Sequence, residues 1–177
     1  MLILCRELNF PVTDDYEPAI MKLVLLQTGK TTEKYITDGA VDFSARISRF
    51  STFEIITIPD LKNTKNMPPE EQRRREGGKL IQYIDNNDYV VLLDERGKEL
   101  RTMEFAAMLQ KMLMLPKKRL VFVTGGPWGF PETVYDRADA RLSLSKMTFS
   151  HQLVRLLFLE QLYRAFTILK GDPYHHD

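Results

Sequence analysis

Two polar loops and a terminal cluster hold most of the side chains able to do chemistry. Gly125-Gly126-Pro127-Trp128-Gly129 follows an apolar, β-branched run, Leu120-Val121-Phe122-Val123. Adjacent glycines at the C-terminal end of a strand let a ligand approach bare backbone, where open α/β sheets bind their ligands. A plain tight turn would use the same residues. A second polar segment, Leu144-Ser145-Lys146-Met147-Thr148-Phe149-Ser150-His151, leads into a long apolar run, and the sequence ends in Asp172-Pro173-Tyr174-His175-His176-Asp177. Termini usually fray, so a tyrosine and histidines able to position a substrate and exchange protons there point to an active site.

The apolar run after His151 carries three charges, Arg155, Glu160 and Arg164. Glu160 and Arg164 stand four residues apart and can pair on one helix face. The cost of burying an unpaired charge requires that these groups be paired or face a polar cavity. A structural ion pair and a substrate contact both satisfy that requirement. His151, Tyr174, His175 and His176 lack cysteine or carboxylate companions at metal-site spacing, so no metal is expected. Gly29-Lys30-Thr31 imitates the end of a phosphate-binding loop, but Val24 stands where its first glycine belongs. That leaves a strand-to-helix turn and argues against a nucleotide hydrolase. Arg73-Arg74-Arg75, flanked by Glu70, Glu71 and Glu76, reads as a solvated helix face.

Strands and helices must alternate to position these loops. Leu23 to Gln27, Phe53 to Ile58, Tyr89 to Leu93 and Arg119 to Val123 read as strands, with a short one near 140–143. Helices are expected over 32–50, from Pro68 to about Ile84, from a Thr102 cap to Pro116, near 131–136, and over about 150–169. Ile36, Ala40, Phe43 and Ile47 mark the buried stripe of the first. The last helix is apolar around most of its circumference, so it is buried on more than one side, in a core or against another subunit. Gly171 and Pro173 end it. The alternation implies an α/β fold with a mostly parallel sheet flanked by helices. No G-x-G-x-x-G follows any strand, so the usual dinucleotide site is absent.

The 177 residues suit one domain, with 44% hydrophobic and 28% charged residues. Met1–Ile20 departs from the later pattern and reads as an extension ahead of a start at Met21, leaving 21–177 as the domain. The single cysteine, Cys5, excludes an internal disulfide and fits a cytoplasmic location. No apolar stretch is long enough for a membrane span. The 25 basic and 24 acidic residues argue against holding nucleic acid by bulk charge.

The chain resembles the RlmH family of SPOUT methyltransferases, which methylate N3 of a pseudouridine in 23S rRNA. The likeness rests on Met21-Lys22-Leu23, Leu92 to Lys98, Gly125 to Gly129, Leu144 to Phe149, Leu153-Val154-Arg155, Glu160 to Ala165, and Pro173-Tyr174-His175. It spans Met21 to Asp177. The resemblance implies a domain binding S-adenosyl-L-methionine, with a C-terminal deep trefoil knot that brings the two loops together as the cofactor pocket. It assigns Leu93, Gly125, Leu144, Ser145, Lys146, Met147, Thr148 and Phe149 to the cofactor. For methyl transfer to a ring nitrogen, Tyr174 and His175 are expected to position the base and accept its proton and Arg164 to offset charge on the ring, with His151, Arg155, Glu160 and His176 toward the substrate.

The same resemblance implies a homodimer acting on the large ribosomal subunit or the 70S ribosome, without a metal or a membrane. A SPOUT enzyme acting on another RNA, or a non-catalytic RNA- or ribosome-binding dimer, are the alternatives. Two positions depart from the family pattern: Ser150, where proline is common, can cap the helix. His176 replaces the usual arginine or lysine, which lowers the positive charge of the tail at neutral pH.

Overall fold

The computed structural model describes residues 21–171. The expected extension at 1–20 and the Tyr174-His175-His176 cluster lie outside the described residues. Ten elements alternate as β1 (Lys22–Thr28), α1 (Lys34–Ile47), β2 (Phe53–Ile58), α2 (Pro69–Gln82), β3 (Asp88–Glu99), α3 (Thr102–Leu113), β4 (Arg119–Thr124), α4 (Glu132–Arg137), β5 (Ala140–Ser143) and α5 (Leu153–Lys170). The five strands form one sheet in the order β2-β1-β4-β3-β5, and every pairing is parallel.

Strand periodicity divides the core. Leu23, Leu25, Val91, Leu93, Leu120 and Phe122 face one layer, into which α1, α3 and α5 pack. Val24, Leu26, Val90, Leu92, Val121 and Val123 face the other, covered by α2 and α4. Because both faces are covered, the strands read as continuous apolar runs. Phe122 and Phe158 lie 4.6 Å apart between ring centroids and join β4 to α5. Each such ring fully buried contributes about 1.5–3 kcal/mol. At the N-terminal edge, Arg119 grips the fully buried Asp88 with Nε 2.8 Å from Oδ1, fixing β3 against β4.

Several local expectations change. Helix α1 spans Lys34–Ile47, inside the expected 32–50, because the chain turns at Ser48–Ser51. Thr102 is not the cap of α3; Arg101 takes that place, and its backbone N–H donates to Glu104 Oε2 at 2.8 Å. The Thr102 hydroxyl instead donates to Gln161 on α5.

The third change concerns β3, which does not stop at Leu93. It continues to Glu99 and pairs with β5 a second time after a register shift between Leu93 and Lys98. At that crossing a Cβ on Gly97 would lie 2.5–2.7 Å from the Leu142 and Ser143 backbone, so only glycine fits without movement. The cap position of α5 is Gln152 rather than Ser150, although the Ser150 hydroxyl accepts the Leu153 N–H at 3.1 Å just ahead of the helix. Gly171 ends α5 with a left-handed φ of 73°.

Gly97→Ala is expected to destabilise the protein by about 1–3 kcal/mol through overpacking against backbone. Gly78, in α2, has open space around the same position. Gly78→Ala should therefore stabilise by up to about 1 kcal/mol through helix propensity. Urea unfolding of the two variants reads both, and equal effects would contradict the crossing.

Candidate active site

The strand order sets the site. Strand β4 lies between β1 and β3, while β5 lies on the far side of β3. The loops leaving β4 and β5 therefore emerge at the same C-terminal edge, on either side of Leu93 at the end of the β3–β4 ladder. Together they enclose a cavity of about 730 Å³. Such a volume suits a cofactor-sized ligand.

Leu93, Gly125, Leu144, Ser145, Met147, Thr148, Phe149 and His151 all line this cavity. Lys146 does not; its side chain is exposed and approaches Glu99 at 3.8 Å. The glycine loop is a tight turn whose Gly129 N–H donates to Gly126 O at 3.1 Å. Gly129 has a φ of 72°, which places Pro127 and Trp128 at the corner. A Cβ on Gly125 would press on the Phe130 ring at 3.3 Å, and one on Gly126 would collide with the Glu76 carboxylate. The second loop is held by Ser143, whose hydroxyl donates to Ser145 O at 2.9 Å, and by Ser145 Oγ, which accepts the Met147 N–H at 3.0 Å.

Arg155 is 1% exposed and does not line this cavity. It donates to Gly29 O at 3.0 Å, to Thr31 Oγ1 at 2.8 Å and to Thr28 O. It thus bolts α5 to the end of β1, and burial lowers its pKa. Glu160 and Arg164 form the expected pair, Arg164 Nε lying 2.9 Å from Glu160 Oε1. Neither lines the cavity; Arg164 follows the wall residue Val154 by ten positions, or about 15 Å of helix. The solvated reading of 73–75 holds for Arg74 and Arg75, both paired to Glu71 at 2.6 Å. Arg73, paired to Glu70, is different because it lines the cavity.

Sequence reading missed several wall residues. Asp94 accepts the Tyr135 hydroxyl at 2.7 Å, and both groups line the cavity. Burial and this bond push the Tyr135 pKa up to about 12, so it stays a neutral donor. Asp94 was visible only as part of a charged run after a strand, and Tyr135 only as one residue of a short helix. Glu76 is buried on α2 behind Gly126, accepting from Gln72 Nε2 at 2.8 Å while its Oε2 has no hydrogen-bond partner among the described residues. Burial raises its pKa. His151 is lowered by desolvation and by nearby Arg155, so it is neutral at physiological pH. Among the described residues, no cluster of three or more His, Cys, Asp or Glu could hold a metal ion.

The family described as "Predicted SPOUT methyltransferase" matches residues 21–175. The chain is 49% identical over 157 residues to Ribosomal RNA large subunit methyltransferase H of Bacteroides fragilis strain YCH46, covering 89% of this chain and 100% of that protein. It is 51% identical over 156 residues to the protein of the same name from Christiangramia forsetii, covering 88% and 99%. Among solved structures, it resembles tRNA (m1G37) methyltransferase of Aquifex aeolicus with a TM-score of 0.52 at 15% identity, over 88% of this chain and 75% of that one. A probable methyltransferase of Bordetella pertussis gives 0.52 at 13% identity, over 84% and 96%. These two likenesses concern the fold alone.

The chain belongs to the SPOUT methyltransferases and, within them, to the RlmH family. It is accordingly an S-adenosylmethionine-dependent enzyme. The cavity fits that cofactor. Bare glycine backbone and the apolar side chains of Leu93, Leu142, Leu144 and Phe149 offer a slot for a flat ring, and Asp94 and Glu95 favour a cationic centre. The buried Thr124 hydroxyl at the head of the glycine loop has no partner among the described residues.

Arg155→Ala should cost roughly 3 kcal/mol by orphaning buried acceptors, measured by equilibrium unfolding. For Glu76, the folded-state pKa is raised, so its stabilising protonated form is lost as pH rises through that value. Glu76→Gln should thus be more stable than wild type at neutral pH, the gap closing below the ordinary value of 4.5. A gap independent of pH in urea titrations would count against a buried, proton-holding Glu76.

Proposed function

We propose that this enzyme methylates N3 of a pseudouridine in 23S rRNA, acting in the cytoplasm on the large ribosomal subunit or the 70S ribosome as a homodimer. The observation that carries this reading is the convergence of both C-terminal loops on one cavity. It is supported by near-full-length identity to proteins named Ribosomal RNA large subunit methyltransferase H.

S-adenosylmethionine, when bound, supplies a methyl group already activated by its sulfonium centre, so the protein need not activate it further. Leu93, Gly125, Leu144, Ser145, Met147, Thr148 and Phe149 hold the cofactor. Tyr174 and His175 position the acceptor base, and His175 takes the proton from the ring nitrogen. Fixing donor and acceptor in line supplies much of the rate. Arg164 offsets negative charge developing on the deprotonated ring.

Within one chain Arg164 stands well down α5 from the cavity, which supports a composite site in which a second copy brings its Arg164 and tail. His151, at the cavity wall, and His176 face the substrate. The threading of the C-terminal part as a deep trefoil knot is part of this reading, supported by the match to the SPOUT family.

A deletion strain should lack one methylated pseudouridine in its 23S rRNA, with restoration of the gene returning it, as read by mass mapping of nucleosides. An unchanged nucleoside profile would overturn the assignment. Removing residues 174–177 should abolish transfer while calorimetry still detects S-adenosylmethionine binding. Because net charge is only +1, turnover should be higher on assembled subunits than on naked rRNA. Equal turnover on a short free hairpin would contradict this.

A further inference from the structure

Trp128 is the only tryptophan of the chain. It lines the cavity and is nevertheless 48% exposed. An indole left this open at a functional rim has given up burial that a core position would supply. Its backbone is held in a turn: Pro127 precedes it, the Gly126–Gly129 hydrogen bond closes the turn, and Gly129 takes a conformation that other residues resist. An indole has few torsions to lose when a second ring covers it.

Charge in the same cavity indicates what that second ring is attached to. Arg96 and Arg73 line it together with Trp128. No carboxylate lies within ion-pair distance of the Arg96 guanidinium among the described residues, and Arg73 is paired with an exposed Glu70. An aromatic platform and an available guanidinium in one cavity are the groups that single-stranded nucleic acid uses, base on ring and phosphate on cation.

We propose that Trp128 is a base-stacking residue that seats a nucleotide of the RNA strand at the cavity mouth, with Arg96 taking a phosphate of that strand. This rests on the reading that the enzyme acts on RNA, and it adds a substrate contact on the cofactor side of the site. The competing placement puts the indole against the adenine of S-adenosylmethionine.

Full-length Trp128→Ala, Trp128→Phe and Arg96→Gln are compared with wild type on large ribosomal subunits from the deletion strain. Losing one base–aromatic stack should raise the KM of Trp128→Ala for subunits between about fivefold and a hundredfold. Its kcat and its calorimetric affinity for S-adenosylmethionine should stay near wild type, which also shows that the variant is folded. Trp128→Phe should recover most of the loss. Arg96→Gln should raise KM less, with a weaker dependence of KM on salt than wild type.

Fluorescence of the lone tryptophan gives a direct reading in the unaltered enzyme. A short RNA copy of the target stem-loop, titrated at low salt until its weaker binding is saturated, should quench it beyond any quenching by S-adenosylmethionine alone. An unchanged KM in Trp128→Ala, a loss of cofactor affinity in that variant while Trp128→Phe binds normally, or no further quenching by RNA would overturn the proposal. Wild-type enzyme that fails to methylate the subunits would instead overturn the RNA reading itself.

Discussion

Parallel pairing of β3 with both β4 and β5 is the constraint on which the site depends. It delivers the ends of three neighbouring strands to one edge, so the loops after β4 and β5 descend on opposite sides of Leu93 and face each other. A one-residue slip of β3 would turn Leu93 to the other face of the sheet and remove the floor of the cavity. Register is therefore held at the opposite edge by the Arg119–Asp88 grip, where a buried carboxylate leaves few alternatives.

Two different supports stand behind the two loops. The glycine loop leans on the α2–α4 layer, through Glu76 behind Gly126 and Phe130 behind Gly125. Its partner loop leans on the α5 side, through Ser150 at the start of that helix and through the Ser143–Ser145 bond. The cavity is thus a joint between the two layers of the fold. A change in either layer can alter the spacing of its walls without touching a wall residue.

The alternation of strands and helices was legible because each strand is buried on both faces and each helix has its own apolar stripe. The two loops were legible because glycine pairs and a serine-rich turn mark backbone that must come close to something. The partners of Arg155 were not legible, because sequence shows that a buried charge needs partners but not that backbone carbonyls near Thr28 supply them. The continuation of β3 past Leu93 was hidden by the charges of Asp94 to Lys98, which look like a loop because β5 pairs again only at Lys98 and Glu99. Asp94 and Tyr135 meet only through the fold, at a sequence distance no local pattern spans.

The bolt that Arg155 makes to Thr28 and Gly29 joins positions separated by most of the domain. Such a contact cannot form from local structure alone, because the intervening chain must first close a loop of more than a hundred residues. Docking of α5 on the end of β1 is therefore a late, long-range event, and formation of the cavity wall that adjoins α5 is tied to completion of the whole sheet.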